Sequence, residues 1–232
     1  MKKTTFVSLL TLLVLIPATL FLGTQLRGKW HYLTSTLVII EAMVPFFLIF
    51  EARRPQAREL VILAVMAALA VAGRVAIPIP NFKAITGIVM ITGMAFGPQA
   101  GFMTGAVSAF ASNFFYAQGP WTPWQMLSYG MGGFLAGLLF YGKSWKNPWA
   151  EIAYKTAFAF FAVVLAVGPL LDACTLFTTG GRLSWGYALA VFVAGFPHNL
   201  IHGLSCATMV ILLSKPLLSK LNRVKIKYGM LQ

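Results

Sequence analysis

The sequence predicts an all-α integral membrane protein, and three observations carry that prediction. Apolar residues make up 59% of the 232-residue chain and charged ones only 10%, against roughly 25% charged in an ordinary soluble domain. The apolar residues gather in runs near the length of about 20 residues that a helix needs to cross a bilayer, with glycine and proline punctuating the gaps. The 18 basic residues face five acids, a net charge of +13, and they occur in short clusters between the runs. That arrangement reads as membrane topology, with no nucleic-acid partner, because a nucleic-acid surface would gather its cations on one exposed, aromatic-interleaved face.

A hydropathy pass places eight spans at 5–26, 31–50, 60–79, 84–97, 99–117, 124–141, 154–171 and 186–213. Breaks fall at Gly28, Pro55, Pro78 and Pro80, Gly97-Pro98, Gly119-Pro120, Pro148 and Gly180-Gly181. Lys2 and Lys3 ahead of an apolar run resemble the start of a signal peptide, but the run continues to about Leu26, so it is read as a retained helix. The fourth span is short enough to be partial or tilted. Cys174 is expected in a loop and Cys206 inside the last span, so no disulfide joins them and neither has metal-ligand spacing.

Basic residues in alternate loops set the orientation. Lys2, Lys3, Arg53, Arg54, Arg58, Lys143, Lys146, Lys155, Lys215, Lys220, Arg223, Lys225 and Lys227 fall on one side, 13 of the 18; Arg27, Lys29, Arg74, Lys83 and Arg182 fall on the other. The positive-inside rule then puts both termini in the cytoplasm. The stretch "NFFYAQGPWTPWQM" (113–126) lies outside, beside the loops around 80–83 and 172–185.

Small residues recur every four positions in two rows: Ala64, Ala68 and Ala72 on the third span, and Gly97, Gly101, Gly105 and Ala109 along the fifth. In lipid, helices associate by close van der Waals approach, so such rows mark contact faces. The glycine row is read as internal packing; the alanine row is open to either internal packing or a partner protein.

Catalytic chemistry is sparse. Gly23 to Lys29 reads G-x-x-x-x-G-K, but Trp30 stands where a phosphate loop needs Ser or Thr, and no strand precedes it. The chain is therefore not expected to hydrolyse ATP. The acids are scattered and make no paired-carboxylate site. Glu41, near the middle of the second span, is a functional candidate as an intramembrane ionisable group, or else protonated or paired with a neighbouring helix. His198 and His202 share a helical face in "GFPHNLIHG", a zinc-like spacing that lacks the glutamate of H-E-x-x-H. They are read as polar helix contacts or the wall of a ligand cavity. Arg74 either snorkels to the headgroups or turns inward toward an anionic or amide-bearing ligand.

The sequence "ELVILAVMAALAVAGRVAIPIPNFKAITGIVMITGMAFGPQAGFMTGAVSAFASNFF", followed by "AQGPWTPWQM" where related loops read "GQGPWTPWQM", resembles the substrate-binding S components of energy-coupling factor (ECF) vitamin transporters. The resemblance covers about residues 57 to 213. It implies a six-helix S-component core preceded by two extra N-terminal transmembrane helices (1–56) and followed by a basic cytoplasmic tail (214–232). It implies a vitamin captured from outside, with Ala64, Ala68 and Ala72 packing against a transmembrane T component that carries two cytoplasmic ATPases. ATP is then hydrolysed by those partners, the chain itself holds no cofactor, and the whole subunit topples in the bilayer during transport.

Among S components the loops look most like those assigned to cobalamin (vitamin B12), which implies a corrinoid ligand. The candidate ligand contacts are Arg74, Asn81, Phe82, Lys83, Asn113, Tyr116, Gln118, Trp121, Thr122, Trp124, Gln125, His198 and Asn199. The rivals to this reading are an S component for another vitamin or micronutrient, an intramembrane enzyme using His198, His202 and Glu41, and a membrane assembly factor with no small-molecule pocket on its outer face.

Overall fold

A computed structural model describes residues 7, 10–25, 30–178 and 184–229. Lys2, Lys3, Arg27, Gly28, Lys29, Gly180, Gly181 and Arg182 lie outside the described residues, as does the second half of the phosphate-loop-like segment.

Eight helices and no strand are present among the described residues. α1 spans 11–25, a π-helical turn Thr11–Leu15 running into Ile16–Gln25, and α2 is Trp30–Ala52. α3 is Ala57–Ala76, α4 Ile85–Phe96, α5 Pro98–Tyr116 and α6 Trp121–Phe140. α7 is Pro148–Thr178, with a π-helical turn at Val163–Val167, and α8 is Trp185–Lys227.

Local chemistry sets the boundaries. Gly97 closes α4 at φ +94°, a left-handed conformation that a Cβ disfavours, and Pro98 opens α5 where its missing N–H costs nothing. Asn147 caps α7, its side chain accepting from the N–H groups of Trp149 at 2.9 Å and Ala150 at 3.4 Å. Ser184 caps α8 by accepting from the N–H of Tyr187.

Three expected spans end elsewhere. α6 begins at Trp121, so only 117–120 is loop and the "WTPWQ" segment forms its first turns; Pro120 and Pro123 fit there because first-turn N–H groups lack intrahelical partners. α7 runs past 171 to Thr178, which puts Asp172 and Cys174 on a helix instead of in a loop. α8 continues past 213 to Lys227, and its 43 residues span roughly 65 Å, about twice the hydrocarbon core.

Four helices, α2, α3, α7 and α8, are long and apolar enough to cross a membrane on their own. α4 has 12 residues, all buried, and at about 18 Å it is shorter than the bilayer core. It survives in lipid because α3, α5, α6 and α8 surround it. α5 and α6 pack together most extensively. Gly93, Gly101 and Gly133 bring α4, α5 and α6 into backbone contact, and Gly105 packs on the backbone at Tyr129 and Gly130. The glycine row is therefore internal. α1 packs mainly on α2, and α2 docks on the core through Phe46, stacked on Phe102 of α5 with centroids 4.1 Å apart and planes 9° apart.

The basic ends converge. The last carbonyls of α4 accept from Arg53 at the end of α2, which reaches Phe96 O at 3.2 Å, and from buried Lys225 of α8, which reaches Ala95 O. Arg53 also pairs with Glu59 of α3. Cations suit this place because the C-terminus of a helix carries partial negative charge.

A Cβ on Gly101 would collide with the carbonyl of Gly133. Gly101→Ala is expected to destabilise the bundle by about 1–3 kcal/mol, the range for overpacking, and thermal unfolding in detergent followed by tryptophan fluorescence measures it.

Candidate functional site

At the opposite end of the bundle the loop between α3 and α4 folds over a cavity of about 340 Å³. Asn81 stands at φ +58° in this loop, a conformation that asparagine tolerates better than most residues. Phe82 N–H donates to Ile79 O, closing the turn. The loop is tied down from α8, where Ser205 Oγ donates to Lys83 O at 2.7 Å.

Arg74, in the last turn of α3, is buried and turns inward, so it does not snorkel. Its guanidinium donates to Ser112 Oγ, to Asn113 Oδ1 at 3.0 Å and to Gln125 Oε1 at 3.4 Å. It lies 4.8 Å from the Tyr116 ring centroid and 5.7 Å from that of Tyr129, and the Tyr116 hydroxyl donates to Arg74 O. Lys83 Nζ donates to Ile77 O and stands 5.8 Å from the Tyr116 ring.

Six of the expected contacts line the cavity: Arg74, Asn81, Lys83, Tyr116, Trp121 and Gln125. Asn113 and Thr122 are buried behind that wall, and Gln118 is exposed in the loop beside them. Asn113 Nδ2 donates to Thr122 Oγ1 at 3.0 Å, and Thr122 donates to Gln118 Oε1 at 2.9 Å. These polar groups are consumed in positioning Arg74 and fastening loop 117–120. Trp124 is buried and packs toward α7, stacked on Phe177 at 5.8 Å, and does not line the cavity. Phe82 does not line the cavity.

His198 and Asn199 also lie outside it. His198 Nδ1 shares a hydrogen bond with Asn81 Nδ2 at 2.9 Å and borders a second chamber of about 420 Å³ with Asp172 and Thr175. Asn199 Nδ2 donates to Asp172 Oδ2 at 2.6 Å, an approach left open by Gly168 and Gly195, where a Cβ would strike these side chains. Thr175 borders both chambers.

The wall also includes Tyr129, Leu171, Cys174, Thr175 and His202, which are absent from the expected contact set. Tyr129 was legible, since Trp121, Gln125 and Tyr129 repeat every four residues and share one helix face. Cys174 and Thr175 were hidden by ending that span at 171. His202 lines the cavity and makes a polar helix contact, sharing a hydrogen bond with Thr86 of α4 at 2.7 Å.

The three residues of the intramembrane-enzyme reading bond to separate partners. Glu41 accepts from Thr19 of α1 at 2.7 Å, whereas His198 pairs with Asn81 and His202 with Thr86. The assembly-factor reading required no pocket at this end, and a cavity is there.

On the flank of the bundle a groove of about 630 Å³ runs between α3 and α5. Ala64, Ala68 and Ala72 form its exposed floor, and Val107, Ala111 and Phe115 form its far wall. The alanine row is thus not buried inside the chain.

A helical, multi-pass membrane bundle with an aromatic and cationic cavity at one end and an uncovered small-residue groove on its side is the architecture of a membrane substrate-binding subunit. The family described as ECF-type riboflavin transporter, S component, matches residues 55–219, more than two thirds of the chain, and the chain belongs to it. Neither a curated protein nor a solved structure matches the chain. S components are vitamin-specific transporter subunits, not enzymes; they bind small-molecule vitamins in the membrane and partner with a T component and two ATPases. The expected cobalamin specificity gains no support from this match, whose family is described by riboflavin.

Ala117 stands at φ +69° and ψ +141°. Such strain costs a non-glycine residue about 1–3 kcal/mol, and glycine gives back roughly 0.5–1 kcal/mol in entropy. Ala117→Gly is expected to stabilise the protein by about 1 kcal/mol, read as a higher midpoint of thermal unfolding.

Proposed function

We propose that this chain captures a flavin-sized vitamin, riboflavin or a close derivative, in the cavity between the α3–α4 loop and the start of α6. It then delivers the vitamin inward as the S component of an ECF importer. The observation that carries the reading is the cavity itself, where aromatic faces (Tyr116, Trp121, Tyr129) alternate with hydrogen-bonding groups (Asn81, Gln125, His202). A volume of about 340 Å³ lies toward the small end of the roughly 300–1,000 Å³ typical of small-molecule sites. That scale suits a three-ring vitamin and falls well short of a corrinoid.

The second reading is cobalamin. It is supported by the resemblance of the "AQGPWTPWQM" loop and by the neighbouring chamber, which meets the first at Thr175 and would enlarge the site if the Asn81–His198 hydrogen bond opened.

In this reading the cavity end faces outside and both termini face the cytoplasm, supported by the clustering of Arg53, Arg54 and Lys225 at the other end. The alanine groove receives the T component, because an exposed row of small residues lets a partner helix approach closely in lipid.

Co-expression with a T component and two ATPases, in riboflavin and cobalamin auxotrophs that lack their own importers, tests the function. Rescue on trace riboflavin is expected. Rescue on cobalamin alone would replace the flavin reading with the corrinoid one, and rescue by neither would remove both. Trp121→Ala and Gln125→Ala are expected to weaken ligand binding by about tenfold each, the scale of one lost aromatic contact or hydrogen bond, with assembly intact by co-purification. Ala68→Leu is expected to abolish uptake while the isolated subunit still binds ligand, because the larger side chain fills the groove; loss of binding instead would give the row an internal role.

A further inference from the structure

The cavity carries two cations and no acid, and this imbalance runs through the whole chain. Of the five acids, Glu41 bonds to Thr19, Glu59 pairs with Arg53, Glu151 pairs with Lys155 and Asp172 bonds to Asn199, while Glu51 is exposed at the end of α2. Among the described residues the ion pairs are Arg53–Glu59 and Lys155–Glu151. Arg74 is buried with only neutral partners, the side chains of Ser112, Asn113 and Gln125. Lys83 donates to a backbone carbonyl. Both stand over the Tyr116 ring and both line the same cavity.

A charge in a low-dielectric, lipid-embedded site is costly unless an opposite charge meets it. Neutral acceptors orient a guanidinium and satisfy its N–H groups, but they leave its charge uncancelled. Two uncancelled charges beside one aromatic ring call for an anionic group on the ligand. A phosphate monoester supplies about 1.5 to 2 units at neutral pH, with three strong acceptor oxygens. Arginine's planar fork and lysine's compact ammonium are the side chains that recognise phosphate.

We infer that the ligand of this cavity carries a phosphate ester, which lies against Arg74 and Lys83 while its ring system stacks among Tyr116, Trp121 and Tyr129. This rests on the reading of the cavity as the vitamin site, and it separates that reading from its simplest occupant, since riboflavin is uncharged at neutral pH. Within the flavin reading the preferred ligand is riboflavin 5′-phosphate. Within the corrinoid reading the phosphodiester of cobalamin takes the same place.

The test compares ligands that differ in the phosphate, bound to the purified full-length chain in lipid nanodiscs and measured by tryptophan quenching and calorimetry. The pairs are riboflavin with riboflavin 5′-phosphate, and cobinamide with cobinamide phosphate. The expected result is a preference of about tenfold or more for the phosphate-bearing member of whichever pair binds, the scale of one charge-assisted contact. That preference should shrink with rising salt and fall toward unity in Lys83→Gln, which leaves Arg74 and its network in place; Arg74→Gln is the second variant. Equal or tighter binding of riboflavin or of cobinamide overturns the inference and leaves the reading of the site standing. Binding confined to the corrinoid pair, with the preference present, upholds the inference and sinks the flavin reading. Binding of neither pair sinks both.

Discussion

The structure depends on a positive charge held inside a membrane bundle without a carboxylate. Arg74 enters from α3, and the groups that satisfy it come from α5 (Ser112, Asn113, Tyr116) and α6 (Gln125, Tyr129). Asn113 is held in turn by Thr122, and Thr122 by Gln118 and by the N–H of Gly119. Packing alone fixes distances between helices in lipid; a buried guanidinium also fixes rotation, because its planar donors accept few geometries. The shape of the cavity is therefore a by-product of seating one residue.

The short helix α4 shows the same logic in backbone terms. Its ends fall within the bundle, where unsatisfied peptide groups are costly, and neighbours supply what water would otherwise supply. At one end Arg53 and Lys225 reach its last carbonyls. At the other, Ser205 holds the loop at Lys83 and His202 joins Thr86. Long side chains at one end and short polar ones at the other give the bundle a cationic base and a concave top.

The helical class, the break points that fall within the described residues and the two small-residue rows were legible because hydropathy and four-residue spacing are local properties. The cavity was legible in part. Arg74, Lys83 and Tyr116 announce themselves as polar or amphipathic residues near span ends, and Trp121 and Gln125 share a face with Tyr129. Which face of α6 looks inward was not legible, so Trp124, packed on Phe177, stood beside Trp121 as an equal candidate. Nor was the reach of α7, because Asp172 and Thr178 lower the local hydropathy while their bonds to Asn199 and to Cys174 O keep the helix going. Partners that make a polar residue affordable in lipid lie far away in sequence, and hydropathy cannot see them.

The stack of Phe46 on Phe102 has a mechanical consequence. It fastens α2, and α1 with it, to a face of α5 that the alanine groove does not use, since the groove is built from Val107, Ala111 and Phe115. The N-terminal pair therefore leaves the groove open and is fastened to the core like a keel. A core that tilts in the bilayer must then sweep aside lipid for eight helices instead of six, so the viscosity and lateral pressure of the surrounding membrane bear more heavily on its motion than they would on the bare core.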